Sequence, residues 1–187
     1  MTARFIYFAI ESVDGYIEDV QGKFEWSKPD DEVHRFVNDV MRPVGTYLYG
    51  RRMYETMQVW ETELGKETDP PWARDFAGLW RAAEKIVFSK TLTQVSTPRT
   101  RLERTFDARA VRDMKARAGR DLAMGGHGLA AHAFRAGLID EVHLLLAPII
   151  VGGGKPALPD DVVLKLELID QRRFERSSVA YLRYAVR

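Results

Sequence analysis

Gly125-Gly126-His127-Gly128 lies within "LAMGGHGLAAHAF", residues 122–134, where a short apolar run gives way to a helix-like pattern. Glycine has no Cβ, so its backbone approaches a ligand closely. A helix N-terminus adds unpaired N–H groups and partial positive charge, a setting that suits a phosphate. A tight turn needing positive φ is the plainer reading of the same cluster. Gly126 to Ala131 spells G-x-G-x-x-A, but late in the chain. It lacks a following βαβ unit and an acidic residue ~20 positions on, so it is a weak dinucleotide fingerprint.

Two other junctions share the pattern. Gly50-Arg51-Arg52 leaves the apolar run "TYLYG" and opens a helix; Ser89-Lys90 follows "KIVF". Two arginines at a helix N-terminus are electrostatically awkward unless an anion sits there, although two solvated arginines are the bland alternative. Three such ends on one sheet edge would hold a pyrophosphate and a further phosphate. NADPH suits this arrangement, because its 2′-phosphate calls for extra cations. "VGGGK", 151–155, lacks P-loop spacing and reads as a flexible turn.

Positioning such junctions takes alternating strands and helices. "RFIYFAIES" reads as a buried first strand. From Asp30 to Met41, Val33, Phe36, Val37, Val40 and Met41 recur at helical spacing, and Pro43 marks the end. Trp72, Phe76, Leu79, Trp80 and Ala83 repeat that spacing. "TRLERTF" is a fourth strand, and Asp107 stands at a helix cap. "DLAM" precedes the glycine cluster, and Gly137 ends the helix after it. "EVHLLLAPIIV" is a long strand broken at Pro148. "VLKLELID" alternates, with Leu164, Leu166 and Leu168 on one face, and pairs with "VAYLRYAV" as an antiparallel hairpin. The order predicts an α/β fold in one domain spanning residues 1–187. Its central, mostly parallel sheet has about eight strands, helices on both faces and an antiparallel C-terminal edge.

Composition narrows the function. The chain has 187 residues, 45% of them hydrophobic, enough for one globular core. No apolar run reaches the ~18 residues of a bilayer span. The opening residues do not read as a signal peptide, so the expected location is the cytoplasm. With no cysteine, disulfides, thiolate catalysis and cysteine-ligated zinc are excluded, and no metal site is expected. A net charge of +1 advertises neither nucleic acid nor membrane. One local bias runs from Arg99 to Arg120, with eight basic and three acidic residues, and reads as a solvated face.

The motifs "ESVDGYIED", "YGRRMYE", "FSKTL" and "GGHGLAAHAFRAGLIDEVHLLLAPIIVGGGK" resemble the dihydrofolate-reductase-like family. The branch is that of the riboflavin-biosynthesis reductase domain, and the likeness spans the whole chain. It implies an NADPH-dependent reductase acting on a small heterocycle, with hydride transfer performed by the cofactor. It implies that Gly50, Arg51 and Arg52 contact cofactor phosphates, and that Ser89, Lys90 and Arg104 lie near the adenosine 2′-phosphate. Gly125, Gly126, His127, Gly128 and Leu129 would hold the pyrophosphate, with a cis Gly125–Gly126 peptide. Val13, Asp14, Gly15, Tyr16 and Ile17 would form a mobile loop over the nicotinamide. Met53 stands where the family often has Thr, removing one phosphate-binding hydroxyl. The family's acidic substrate anchor aligns near His34, with Asp31 one turn earlier on the same face. Either would meet a substrate ring, and His34 would donate a proton near neutral pH. An ordinary polar helix face is the alternative for both. Relatives of this branch imply a homodimer. A non-catalytic NADP-binding or scaffold protein on the same fold is the competing reading.

Overall fold

The computed structural model describes residues 3–187. The strands are β1 (Phe5–Ser12), β2 (Tyr16–Glu18), β3 (Val44–Gly50), β4 (Glu84–Phe88), β5 (Thr100–Glu103), β6 (Asp121–Met124), β7 (Glu141–Ala147), β8 (Lys155–Pro156), β9 (Leu166–Arg173) and β10 (Ala180–Val186). The helices are α1 (Asp31–Met41), α2 (Arg51–Met57), α3 (Val59–Thr62), α4 (Pro71–Ala82), α5 (Ala108–Arg117) and α6 (His127–Arg135).

Eight strands form one sheet in the order β5-β4-β3-β6-β1-β7-β10-β9, while β2 and β8 form a separate pair. The first six strands of that order run parallel, and β10 and β9 add the antiparallel edge. This is the expected architecture. Strand β1 sits at its centre and is buried on both faces, which explains its near-continuous apolar run. Phe5, Tyr7 and Ala9 pack in a core with Val111 of α5 and Ala130, Ala133 and Phe134 of α6. Ile6 faces the opposite core, with Met41 of α1, Tyr54 of α2 and Trp80 of α4.

Local chemistry sets the helix ends. Asp30 caps α1, its carboxylate accepting from the Val33 amide at 3.0 Å. Asp107 caps α5 through the amides of Arg109 (2.8 Å) and Ala110 (3.2 Å). Gly137, at φ 60, follows the end of α6. Proline closes β7 before Pro148, and the chain then loops back so that β8 pairs with β2 instead of extending β7.

One expectation changes here. The Gly125–Gly126 peptide is trans, as are all peptides among the described residues. Gly126 makes the turn through a positive φ of 84 instead, a conformation glycine adopts at no steric cost. The Val13–Ile17 segment carries hydrogen bonds to the chain after β7. The Val13 amide donates to Ile149 O at 2.8 Å, and the Ala157 amide donates to Gly15 O at 2.9 Å. Ser12 Oγ accepts from the Tyr16 amide at 3.0 Å. Asp14 receives the amides of Val151 (3.1 Å) and Gly152 (2.8 Å). The glycines of "VGGGK" are therefore half of a latch, with Gly152, Gly153 and Gly154 all at positive φ. The C-terminal hairpin also shifts slightly: β9 begins at Leu166, leaving Leu164 outside it, and a register irregularity lies opposite Arg183–Tyr184.

Candidate active site

The parallel strands end at one rim, where three crossover turns meet. A Cβ placed on Gly50, after β3, would lie 3.8 Å from Leu129 Cβ on α6. Arg51 Nη1 donates to Thr91 Oγ1 at 3.2 Å, joining the start of α2 to the turn after β4. Its Nε also pairs with Glu55 at 2.7 Å. Arg104, just past β5, donates through Nη1 to the carbonyls of Ser89 (3.2 Å) and Leu92 (2.5 Å). Ser89 Oγ accepts from the amides of Thr91 and Leu92, folding the turn on itself. The Arg104 guanidinium thus shapes the turn that presents Lys90.

Between these turns lies a groove of about 380 Å³. Gly50, Ser89, Lys90, Arg104, Gly128 and Leu129, all expected to meet a cofactor, line it together. Arg51, Arg52, Gly125, Gly126 and His127 stand beside the groove rather than in its wall, and Val13–Ile17 lies further along the rim. Phe88, Thr105, Phe106 and His132 complete the wall. Phe106 lies 5.4 Å from Phe88 and stacks on His132 at 5.9 Å and 23°. Sequence reasoning missed this aromatic side. One signal was available for His132: it falls one helical turn after Gly128, on the same face.

The glycine turn is built for close approach. A Cβ on Gly125 would come within 3.2 Å of Phe8 O and 3.3 Å of Met53 Cε. Met53 therefore packs under the turn with its thioether, at the position where the resemblance implied a lost phosphate-binding hydroxyl. No side chain caps α6, so its first-turn N–H groups are left without intrahelical partners. His127 Nδ1 is buried and likewise lacks a partner. These orphaned donors, the bare glycine backbone and the neighbouring Lys90 fit a phosphate-bearing cofactor.

On the other side of the sheet, Asp31 and His34 are brought together by α4. Asp31 Oδ1 accepts from Trp72 Nε1 at 2.9 Å. The His34 ring stacks on the Trp72 indole at 3.8 Å, 4° from parallel. Desolvation lowers the His34 pKa, against the pull of Asp31. Burial therefore favours the neutral His34 ring, and the Asp31 carboxylate is engaged by Trp72. Farther along α1, Asn38 Nδ2 donates to Trp72 O and Asp75, both at 2.9 Å. This face of α1 packs on α4 with Asn38 buried, His34 half-buried and Asp31 exposed.

One buried acid went unnoticed in the sequence. Glu11, near the rim end of β1, is 7% exposed and makes no hydrogen bond or ion pair among the described residues. Burial pushes its pKa up to about 7. The basic stretch is mostly occupied: Arg99 pairs with Glu84, Arg101 with Glu103 and Lys115 with Asp140. Arg112 and Arg120 donate to backbone carbonyls. No helix among the described residues is long and apolar enough to cross a membrane.

Comparison with known proteins agrees with this architecture. An uncharacterised protein of Bacillus subtilis (strain 168), YyaP, is 26% identical over 178 residues, covering 94% of this chain and 92% of that protein. A crystal structure of a putative riboflavin biosynthesis protein from Shewanella sp. PV-4 superposes with a TM-score of 0.74 at 24% identity, covering 100% of this chain and 99% of the other. Dihydrofolate reductase from Enterococcus faecalis, complexed with NADP(H), gives a TM-score of 0.61 at 13% identity, covering 100% and 99%. The fold is thus dihydrofolate-reductase-like. Residues 4–179 match the RibD C-terminal domain family, and the chain belongs to that family.

Proposed function

We propose that this protein is an NADPH-dependent reductase of a small heterocycle of pterin or pyrimidine type, working in the cytoplasm. The observation that carries the reading is the single groove lined by Gly50, Ser89, Lys90, Arg104, Gly128 and Leu129. When bound, the cofactor supplies the hydride. The chain supplies grip, orientation and dryness. The free amides at the start of α6, with Gly125, Gly126 and His127, hold the pyrophosphate. Lys90 and Arg104, with Ser89 and the flanking Arg51 and Arg52, favour a cofactor carrying an extra phosphate. Phe106 and His132 present a flat wall to the adenine. Val13, Asp14, Gly15, Tyr16 and Ile17 close the far end of the rim. Asp31 and His34 stand on the substrate side and act by fixing the Trp72 ring.

Fluorescence titration tests the cofactor half. NADPH is expected to bind at least about tenfold tighter than NADH, since charge-assisted contacts contribute ~1.5–3 kcal/mol. Equal affinity for the two, or none, would defeat the reading. The engagement of both Asp31 and His34 with Trp72 favours a second reading, a non-catalytic NADP-binding protein. NADPH consumption with any member of a panel of dihydropterins and ribosylaminopyrimidines eliminates it.

The partner we propose is a second copy of the chain. Leu166 and Leu168 of β9 are 41% and 46% exposed. They register with Val186 and Tyr184 of β10, extending an apolar face past α6. A homodimer covering this face is expected by light scattering, and Leu168→Lys is expected to yield monomer.

A further inference from the structure

The groove opens near β4 and β5, and the start of α6 follows β6. A dinucleotide held at both places extends along the rim toward β1. In the sheet order β1 lies three strands from β4, about 14 Å at the usual strand spacing. The nicotinamide end therefore belongs beside the last residues of β1. Glu11 is one of them, on the same sheet face as Tyr7, Ala9 and α6.

We propose that Glu11 distinguishes the oxidised from the reduced cofactor by its charge, binding the cationic ring as a carboxylate and the neutral ring as an acid. This rests on the cofactor reading above. The group is suited to the task because nothing else answers its charge. Tyr7, on the same strand, donates its hydroxyl to Ala157 O. Asp14 is held by the amides of Val151 and Gly152. Glu18 and Lys155 pair with each other at 2.9 Å, as do Arg135 and Asp161 at 2.8 Å. His127, at the start of α6, makes no bond to Glu11. Glu141 and His143 lie at the opposite end of β7 and bond each other. Burial alone raises the Glu11 pKa, with no neighbouring charge contributing. A carboxylate forming there has no counter-charge among the described residues. A positive ring alongside supplies one, whereas an uncharged ring does not. Glu11 acts here by field and is not assigned a proton transfer to substrate.

The measurement is the affinity ratio of NADP+ to NADPH as a function of pH. The 2′-phosphate titrates alike in both forms and cancels in the ratio. In the wild-type protein the ratio is expected to rise about tenfold between about pH 6 and pH 8, the size of one screened charge pair near 10 Å. In Glu11→Gln the ratio is expected to stay flat. Calorimetry in buffers of different ionisation heat gives a second readout that needs no variant. Near pH 6.5, NADP+ binding is expected to release more protons than NADPH binding. A flat wild-type ratio, a slope that survives Glu11→Gln, or equal proton release for both cofactors would overturn the role of Glu11. Those outcomes leave the cofactor reading standing, whereas failure of both cofactors to bind at any pH removes both.

Discussion

Under the proposed function, Lys90 is the residue on which cofactor choice would turn. It is exposed in the groove wall and makes no ion pair among the described residues. Arg104, by contrast, spends Nη1 on two carbonyls. Lys90→Ala is expected to weaken NADPH binding about three- to tenfold, while NADH binding barely moves. This is the scale of one solvent-screened phosphate contact, and parallel titrations check it. Arg104→Ala is expected to weaken both cofactors, because the turn itself loosens. Gly125→Ala is a steric test: its new methyl meets Phe8 O at 3.2 Å and Met53 Cε at 3.3 Å. The carbonyl is fixed in the sheet but the thioether is flexible, so Met53→Ala is expected to restore part of the binding lost.

At the scale of elements, the latch between the Asp14 turn and the 151–154 turn decides how the rim is closed. A Cβ on Gly154 would fall 2.0 Å from Glu18 O, and the residue sits at φ 136. Gly154→Ala is therefore expected to prise β8 from β2 and destabilise the protein by at least about 1–2 kcal/mol, as read by thermal melting. Asp14→Ala, which leaves the backbone unstrained, is expected to speed amide exchange at Val151 and Gly152 without unfolding the sheet. The alternation of strand and helix was legible because β1, α1 and α6 each carry a long apolar period with a cap or stop signal. The latch was not, because Asp14 and Gly152 are 138 positions apart and neither carries a local signal of the other. That Gly50, Lys90 and Gly128 lie at strand-to-helix junctions was legible from the sequence. Phe106 and His132 came to line the same groove only when α6 was laid against β4 and β5. Asp31 and His34 were placed on one helix face correctly, but the partner occupying that face, Trp72, arrives from a helix whose docking no local pattern specifies.

For the whole molecule, the end of the sheet away from the groove carries a buried charge network. Arg4 joins Asp121 at 2.5 Å and Glu141 at 3.1 Å, Arg183 grips Glu141 at 2.9 Å, and His143 bridges Glu141 and Tyr181. Although burial opposes it, bonds from His143 and Arg183 and the nearby arginine charges hold the Glu141 pKa below its ordinary value. Its contribution to stability is thus present above the unfolded-state pKa and is lost as pH falls through the acid range. Burial keeps His143 neutral, with a lowered pKa, so protonation of the unfolded chain below pH ~6.5 pulls in the same direction. The melting temperature is expected to fall below about pH 4, where Glu141 governs the balance; between about pH 7 and 4.5 proton uptake by the buried Glu11 works in the opposite direction. Glu141→Gln is expected to cost about 1–3 kcal/mol at pH 7 by weakening the charge-assisted bonds of the part-exposed Arg4 and Arg183, a loss measurable by denaturant titration. The position of β1 in the sheet adds a kinetic consequence. Its neighbours β6 and β7 are synthesised long after it, as the 117-position span of the Arg4–Asp121 bond records. Until they emerge from the ribosome, "FIYFAI" is an unsheltered sticky segment, and loop closure over such a distance is slow. The middle of the finished sheet is thereby the earliest-made and last-protected part of the nascent polypeptide, and chaperone dependence during translation is where that order of events would show.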